Sequence, residues 1–284
     1  MQLVKTGWTT VLNAVENYNL GQPSCSPSAF LVLGSPGSGK SCFVGRLMME
    51  MLDRYENLIP LMLPVADLVK RSDPEGPDAF DADAVQDWFD NYLRLTYGED
   101  SLRYSMIGQA ISMSRVVFLF EGLEDAERLT KAVESLIRVL VRSKNLVVVT
   151  SRPLLSGRSA LESDPELIMT MRLENLSDEQ KRMVAYARLG AEGIEAYDKL
   201  LARLRSSQNV SDQGEEAAND GAEDVFGNPM MLSMLLCYLQ TMAKKYAEKK
   251  ETEGEELDRE AKEEETTLTA VYRVAVDATG PSPR

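Results

Sequence analysis

Eight consecutive residues carry the clearest chemistry in this sequence. Gly34, Ser35, Pro36, Gly37, Ser38, Gly39, Lys40 and Ser41 fit the pattern G-x-x-x-x-G-K-[ST] at every fixed position. The order has a physical reason. Glycines let the backbone curl so that successive N–H groups point inward, where they meet phosphate oxygens. Lys40 adds a mobile positive charge suited to β- and γ-phosphates, and Ser41 offers a hydroxyl to Mg2+. A helix starting at Ser41 turns the positive end of its dipole toward the same anion. Cys42, the next residue of that helix, is counted with the nucleotide-binding positions, and its thiol reads as a packing residue. The expected ligand is ATP or ADP with Mg2+.

A second candidate set follows an apolar run. Residues 115–120 (RVVFLF) lead into Glu121-Gly-Leu-Glu124-Asp125. In a phosphate-loop protein, an acid at the end of a distant apolar strand holds the Mg2+ hydration shell. A further acid polarises the attacking water. Glu121 takes the first role, reaching the metal through water beside Ser41, and Glu124 or Asp125 takes the second. Without the loop upstream, the same string would read as an acidic turn after a core strand.

These residues need a scaffold. Residues 29–33 (AFLVL) form a short apolar run ending at a glycine, as a buried strand does. Residues 41–55 place Phe43, Val44, Leu47, Met48, Met51 and Leu52 on one helical face at spacings of three and four. Residues 59–65, 115–120, 146–150 and 168–173 read as further strands, and helices are expected over 84–95, 102–112 and 126–142. The stretch 73–83, rich in Pro, Gly and Asp, is a loop. Strands alternating with helices imply a parallel sheet covered on both faces, an α/β fold. After Ser177 the pattern is wholly helical, over 178–189, 193–206, 229–246 and 266–278. The methionines at 48, 49, 51, 230, 231 and 234 read as core filler, Trp88 and Phe89 as packing onto the sheet, and Cys25 as a loop thiol. The expected domains are an N-terminal extension over 1–28, a nucleotide-binding domain over 29–176, and a helical domain over 177–243 with an acidic loop at 211–224. A charged linker and terminal helix follow over 244–284.

At this point the chain resembles a family. Apolar strand, acid, Gly, Leu, acid, acid is similar to the extended Walker B motif of NACHT-type STAND ATPases, where the first acid is usually Asp and the final pair Asp-Glu. Residues 145–153 (NLVVVTSRP) resemble the family's sensor strand, which ends in Thr-Ser-Arg-Pro. That likeness puts the fork-shaped donors of Arg152 near the γ-phosphate, so the catalytic set it implies is Glu124, Asp125 and Arg152. Leu173-Glu-Asn-Leu-Ser177 resembles the family's entry into its helical domain, and Ser177 with Gln180 also forms a capping box. Gly227-Asn-Pro229 resembles the family's Gly-x-Pro motif, whose proline packs near the nucleotide base. The plain reading of Asn228-Pro229 is helix initiation.

The resemblance covers residues 29–240 in motif order. It implies a P-loop NTPase three-layer sandwich with ASCE-type strand order, the sensor strand lying between the phosphate-loop strand and the Walker B strand, and a small all-helical domain after it. It also implies a switch that couples nucleotide state to conformation or assembly in signal transduction, with self-association or protein partners. Glu121 is one methylene longer than the usual Asp, so hydrolysis is expected to be slow. No NKxD-like guanine motif appears, which favours ATP over GTP.

Composition bounds the alternatives. The chain has 284 residues, a formal charge of −14 and no histidine. Ser-His-Asp and Cys-His nucleophilic sites and His-ligated metals are therefore excluded. Cys25, Cys42 and Cys237 form no CxxC pair, and reduced thiols in an intracellular, cytoplasmic setting are expected. Residues 1–14 lack the basic start and apolar run of a signal peptide. Residues 211–265 hold sixteen Asp/Glu and six Lys/Arg, so most of the net charge lies there and the nucleotide lobe is nearly neutral. A polyphosphate ligand is compatible with that distribution. A nucleic-acid partner, which needs clustered Lys and Arg, is not expected. Neither is a membrane partner, because the apolar stretches at 59–66 and 230–239 fall short of the roughly 20 residues a spanning helix needs. Residues 244–265 read as a solvated linker or helix. Two other readings stay open: an active P-loop ATPase or transferase of another class, and a non-catalytic scaffold with a degenerate nucleotide site. A kinase would carry an arginine-rich lid, and 40–120 holds no such cluster.

Overall fold

The computed structural model describes residues 2–21, 28–72, 76–77, 81–153, 160–163, 167–211 and 225–252. Five strands, β1 (Ala29–Leu33), β2 (Ile59–Pro64), β3 (Val116–Glu121), β4 (Leu146–Ser151) and β5 (Ile168–Arg172), form one sheet in the order β2-β3-β4-β1-β5. Every pairing is parallel. All of β1 and β4 and the first five residues of β3 are buried, which is why these runs are almost wholly apolar, up to Thr150 and Ser151 at the end of β4, and do not alternate. β4 lies between β1 and β3, the order expected from the resemblance. A parallel sheet in this order, with a glycine-rich loop between β1 and the next helix, is the P-loop NTPase fold.

Eight α-helices are described: α1 (Gln2–Asn19), α2 (Lys40–Arg54), α3 (Val65–Arg71), α4 (Ala82–Tyr97), α5 (Leu102–Ser112), α6 (Thr130–Arg142), α7 (Asp178–Ser211) and α8 (Pro229–Thr252). Two apolar layers sandwich the sheet. On one face Trp88, Phe89, Leu136 and Ile137 of α4 and α6 meet Phe118 and Phe120 of β3. On the other, Val11 and Val15 of α1 and Val44, Leu47 and Met51 of α2 meet Phe30, Val117, Leu119 and Val148. The alternation within β3 follows from the two-residue period of a strand.

Residues 1–28, read as an extension, thus contribute a packed helix. Its apolar positions Trp8, Val11, Leu12, Val15 and Tyr18 recur at spacings of three and four. Trp8 stands edge-on to Phe43 of α2, ring centroids 5.3 Å apart at 86°, so it is a packing residue. The Tyr18 hydroxyl donates to the Val116 carbonyl at 3.1 Å. Burial pushes the Tyr18 phenol from its ordinary 10 up to about 12. A raised pKa means that the folded chain holds this proton more tightly than the unfolded chain. The stabilisation is complete below pH 10 and lost as pH rises through 12. Tyr18→Phe is expected to flatten the decline in stability across that window. Denaturant unfolding of both proteins at pH 9 and pH 11.5 checks it, and parallel declines would refute it.

The chain divides into two compact units, Met1–Glu174 and Asn175–Arg284. In the second, α7 is broken at Gly190 (φ 73°, ψ −178°), giving the two helices expected from the sequence. Tyr197, Leu200, Phe226, Leu232, Leu235 and Leu236 form its core. The capping box is present: Gln180 N–H donates to Ser177 Oγ at 3.3 Å, and Ser177 N–H to Gln180 Oε1 at 2.9 Å. The methionines divide. Met51 and Met231 are buried, but Met49 is 57% and Met230 44% exposed, because each sits off the buried stripe of its helix. The helix expected over 266–278, most of the acidic loop and Cys25 lie outside the described residues. No described helix is long and apolar enough to cross a membrane.

Candidate functional site

Strand register brings the motif residues to one edge. Leu33 pairs with Ser151, and Phe120 with Val149. The loop after β1, Arg152 after β4 and the acids after β3 therefore all emerge at the C-terminal end of the sheet, where open α/β sheets place their ligand sites.

The loop leaves the sheet held on both sides. Gly34 N–H donates to the Ser151 carbonyl at 3.0 Å, and Leu173 N–H to the Leu33 carbonyl at 2.8 Å. A Cβ at Gly34 would stand 2.3 Å from Ser38 Oγ, so a side chain there would force the Ser38 hydroxyl to move. Gly37 (φ 76°) and Gly39 (φ 96°) adopt the left-handed region that other residues enter at a cost. Ser38 N–H donates to the Ser35 carbonyl at 3.1 Å, closing the turn around the exposed Pro36. α2 starts at Lys40 with Gly39 as its N-cap and no side-chain cap. Ser38 Oγ is buried and has no hydrogen-bond partner. Ser41 and Cys42 are exposed in the first turn. The buried stripe of α2 runs through Val44, Leu47 and Met51, so Cys42 faces away from the core and is not a packing residue.

Lys40 curls over the loop. Its Nζ donates to the carbonyls of Gly34 at 2.8 Å and Ser35 at 3.2 Å, and stands 3.9 Å from Glu124 Oε1. Burial pulls its pKa down, the Glu124 carboxylate opposes this, and the Arg152 guanidinium adds to it.

The acids divide by geometry. Glu121 is the half-buried last residue of β3. Gly122 (φ 77°) then turns the chain into a 3-10 segment, Leu123–Leu129, which ends in a kink at Glu127 (φ 47°, ψ −116°) before α6 starts. The single helix expected over 126–142 is split there. The turn sends Glu124 back across the end of β4. Its Oε1 lies 3.1 Å from Arg152 Nε, and its Oε2 accepts the Arg152 backbone N–H at 3.1 Å. Asp125 instead folds over Gly122, its Oδ2 2.8 Å from where a Cβ there would stand. Glu124 is thus the acid that joins Lys40 to Arg152.

Thr150 completes the turn and was missed in the sequence. It is fully buried, and its hydroxyl accepts the Gly122 N–H at 3.1 Å, tying the end of β4 to the turn after β3. The signal was a hydroxyl closing an otherwise apolar strand. Pro229 opens α8 of the second unit, where Asn228 Oδ1 accepts the Met230 N–H at 3.0 Å as an N-cap does.

A tight glycine-rich turn, an uncapped helix N-terminus, a buried serine hydroxyl with no partner among the described residues and a desolvated lysine form a donor set suited to an oxyanion. Among the described residues no group of three or more Asp, Glu, Cys or His could hold a metal ion.

The sequence matches no protein-family model and no curated protein. Solved structures similar to it include C. elegans PCH-2, at 14% identity over 96% of this chain and 66% of that one, with a TM-score of 0.38. The E. coli MS115-1 HORMA:CdnC:Trip13 complex is similar at 14% identity over 99% of this chain and 88% of that one, with a TM-score of 0.41. Domain III of the Thermotoga maritima replication initiation protein DnaA is similar at 13% identity over 95% of this chain and 91% of that one, with a TM-score of 0.41.

Proposed function

We propose that this chain binds ATP with Mg2+ and acts as a NACHT-like switch, coupling nucleotide state to conformation or assembly, with slow hydrolysis. The observation that carries the reading is the convergence of Lys40, Glu124 and Arg152 at the mouth of the glycine-rich loop. The NACHT character rests on Glu121-Gly-Leu-Glu124-Asp125, Thr150-Ser-Arg152-Pro153 and Gly227-Asn-Pro229.

Each group has a role that its chemistry supports. The loop amides and Lys40 hold the phosphates, and Ser41 and Glu121 would hold Mg2+. Bound Mg2+ supplies charge neutralisation on the phosphates. Glu124 orients a water and accepts its proton. Arg152 reports on the terminal phosphate through its planar donors. A change in what Arg152 contacts would carry nucleotide state to the end of β4, the kind of local event nucleotide switches amplify.

The test is ATP titration and turnover of the wild type beside Glu121→Asp. A misplacement of about 1 Å costs up to ~100-fold in rate, so the shorter acid is expected to raise turnover by about tenfold or more. Absence of ATP binding in both proteins would sink the proposal. An unchanged rate would remove the length of Glu121 as the restraint.

A further inference from the structure

We propose that Glu124 is a displaceable counter-ion for the loop: its carboxylate and a bound polyphosphate compete for the same two cations, Lys40 and Arg152. The inference rests on the nucleotide-binding reading above and adds a regulatory device to it.

One carboxylate serves three donors. Oε1 faces both Lys40 Nζ (3.9 Å) and Arg152 Nε (3.1 Å), and Oε2 takes the Arg152 backbone N–H (3.1 Å). The Glu124 and Lys40 side chains are only 16% and 12% exposed, so water screens this pair poorly, whereas Arg152 is 55% exposed. Lys40 and Arg152 repel each other, and the Glu124 carboxylate faces both. A phosphate oxygen offers the same charge and the same acceptor geometry as the carboxylate. Entry of a polyphosphate therefore releases Glu124, and its departure restores the bridge.

Two consequences follow. The carboxylate that would accept a proton from water is engaged until phosphate replaces it, so the base is free only when the substrate is in place. The same exchange acts on Arg152 N–H, at the first residue after β4, and so transmits occupancy to the end of the sensor strand.

The experiment uses the full chain and two ligands that cannot be hydrolysed at a γ-phosphate, ADP and inorganic pyrophosphate, both with Mg2+. Glu124→Gln keeps the size and removes the charge. Losing a competing charge-assisted contact is expected to tighten both ligands by about tenfold in calorimetric titration. A trap that merely blocks hydrolysis would leave both affinities unchanged. A second readout needs no nucleotide: Lys40 of Glu124→Gln should be acylated faster by an amine-reactive reagent, read by peptide mass spectrometry. The carboxylate no longer holds its proton there. Unchanged or weaker binding of both ligands with an unchanged acylation rate overturns the inference. Failure of the wild type to bind either ligand overturns the nucleotide-binding reading instead.

Discussion

Lys40→Ala is expected to lower ATP affinity by about 100-fold or more. Lys40 supplies charge-assisted hydrogen bonds, worth about 1.5–3 kcal/mol for a bond to a charged group. A loss of ~3 kcal/mol corresponds to about 100-fold. The site amplifies the effect. Lys40 is desolvated and lies over the loop carbonyls of Gly34 and Ser35, so its charge acts at short range. Its removal also leaves Glu124 facing the incoming phosphates, with Arg152 alone to neutralise it. The fold should survive, because alanine is a good helix former and position 40 is the first residue of α2. Isothermal calorimetry of ATP with Mg2+, beside a thermal melt of the same sample, separates lost binding from lost structure. A normal melt with unchanged affinity would exclude a phosphate-holding role for the loop.

Phe118→Ala is expected to destabilise the first unit by about 3–5 kcal/mol, the usual cost of removing a fully buried phenylalanine. Phe118 is wholly buried in β3, which is flanked by β2 and β4, and its ring packs edge-on against Phe89 of α4 with centroids 6.1 Å apart. The buried layer it belongs to draws on several elements, α4 and α6 among them, so the cavity has no single mobile side chain to fill it. Against a total stability of about 5–15 kcal/mol, that loss removes between about a fifth and all of the margin. Because β3 carries Glu121, nucleotide binding should weaken with it, and saturating ligand should recover part of the loss by mass action. Urea unfolding with and without ATP measures both effects. A shift below about 1 kcal/mol would mean that Phe118 does not hold the layer as described.

Much of this was legible before any coordinates. The loop spacing, the acids after an apolar strand, the alternation of strands and helices and the Ser177–Gln180 box are local patterns, and local patterns survive in a linear string. α1 escaped although its apolar residues recur at helical spacing, because nothing in residues 1–28 shows what the helix packs against. The kink at Glu127 escaped for a different reason. The run from Ala126 to Arg142 reads as one helix by propensity, but the left-handed turn at Gly122 must bring Glu124 back over β4, and that geometry consumes the first turn.

The sequence by itself determined the chemistry available: a glycine loop with one lysine, three acids behind an apolar strand, one arginine after another, and no histidine. Only the tertiary structure decided which acid meets Lys40 and Arg152. Glu124 and Asp125 are adjacent carboxylates, and spacing along the chain cannot rank them. β4 stands between β1 and β3, so an acid after β3 must cross one strand to reach the loop. Glu124 does so, because the Gly122 turn, held by the buried Thr150 hydroxyl, points it that way. Strand order is a contest among distant surfaces for burial, and neither periodicity nor propensity records its outcome.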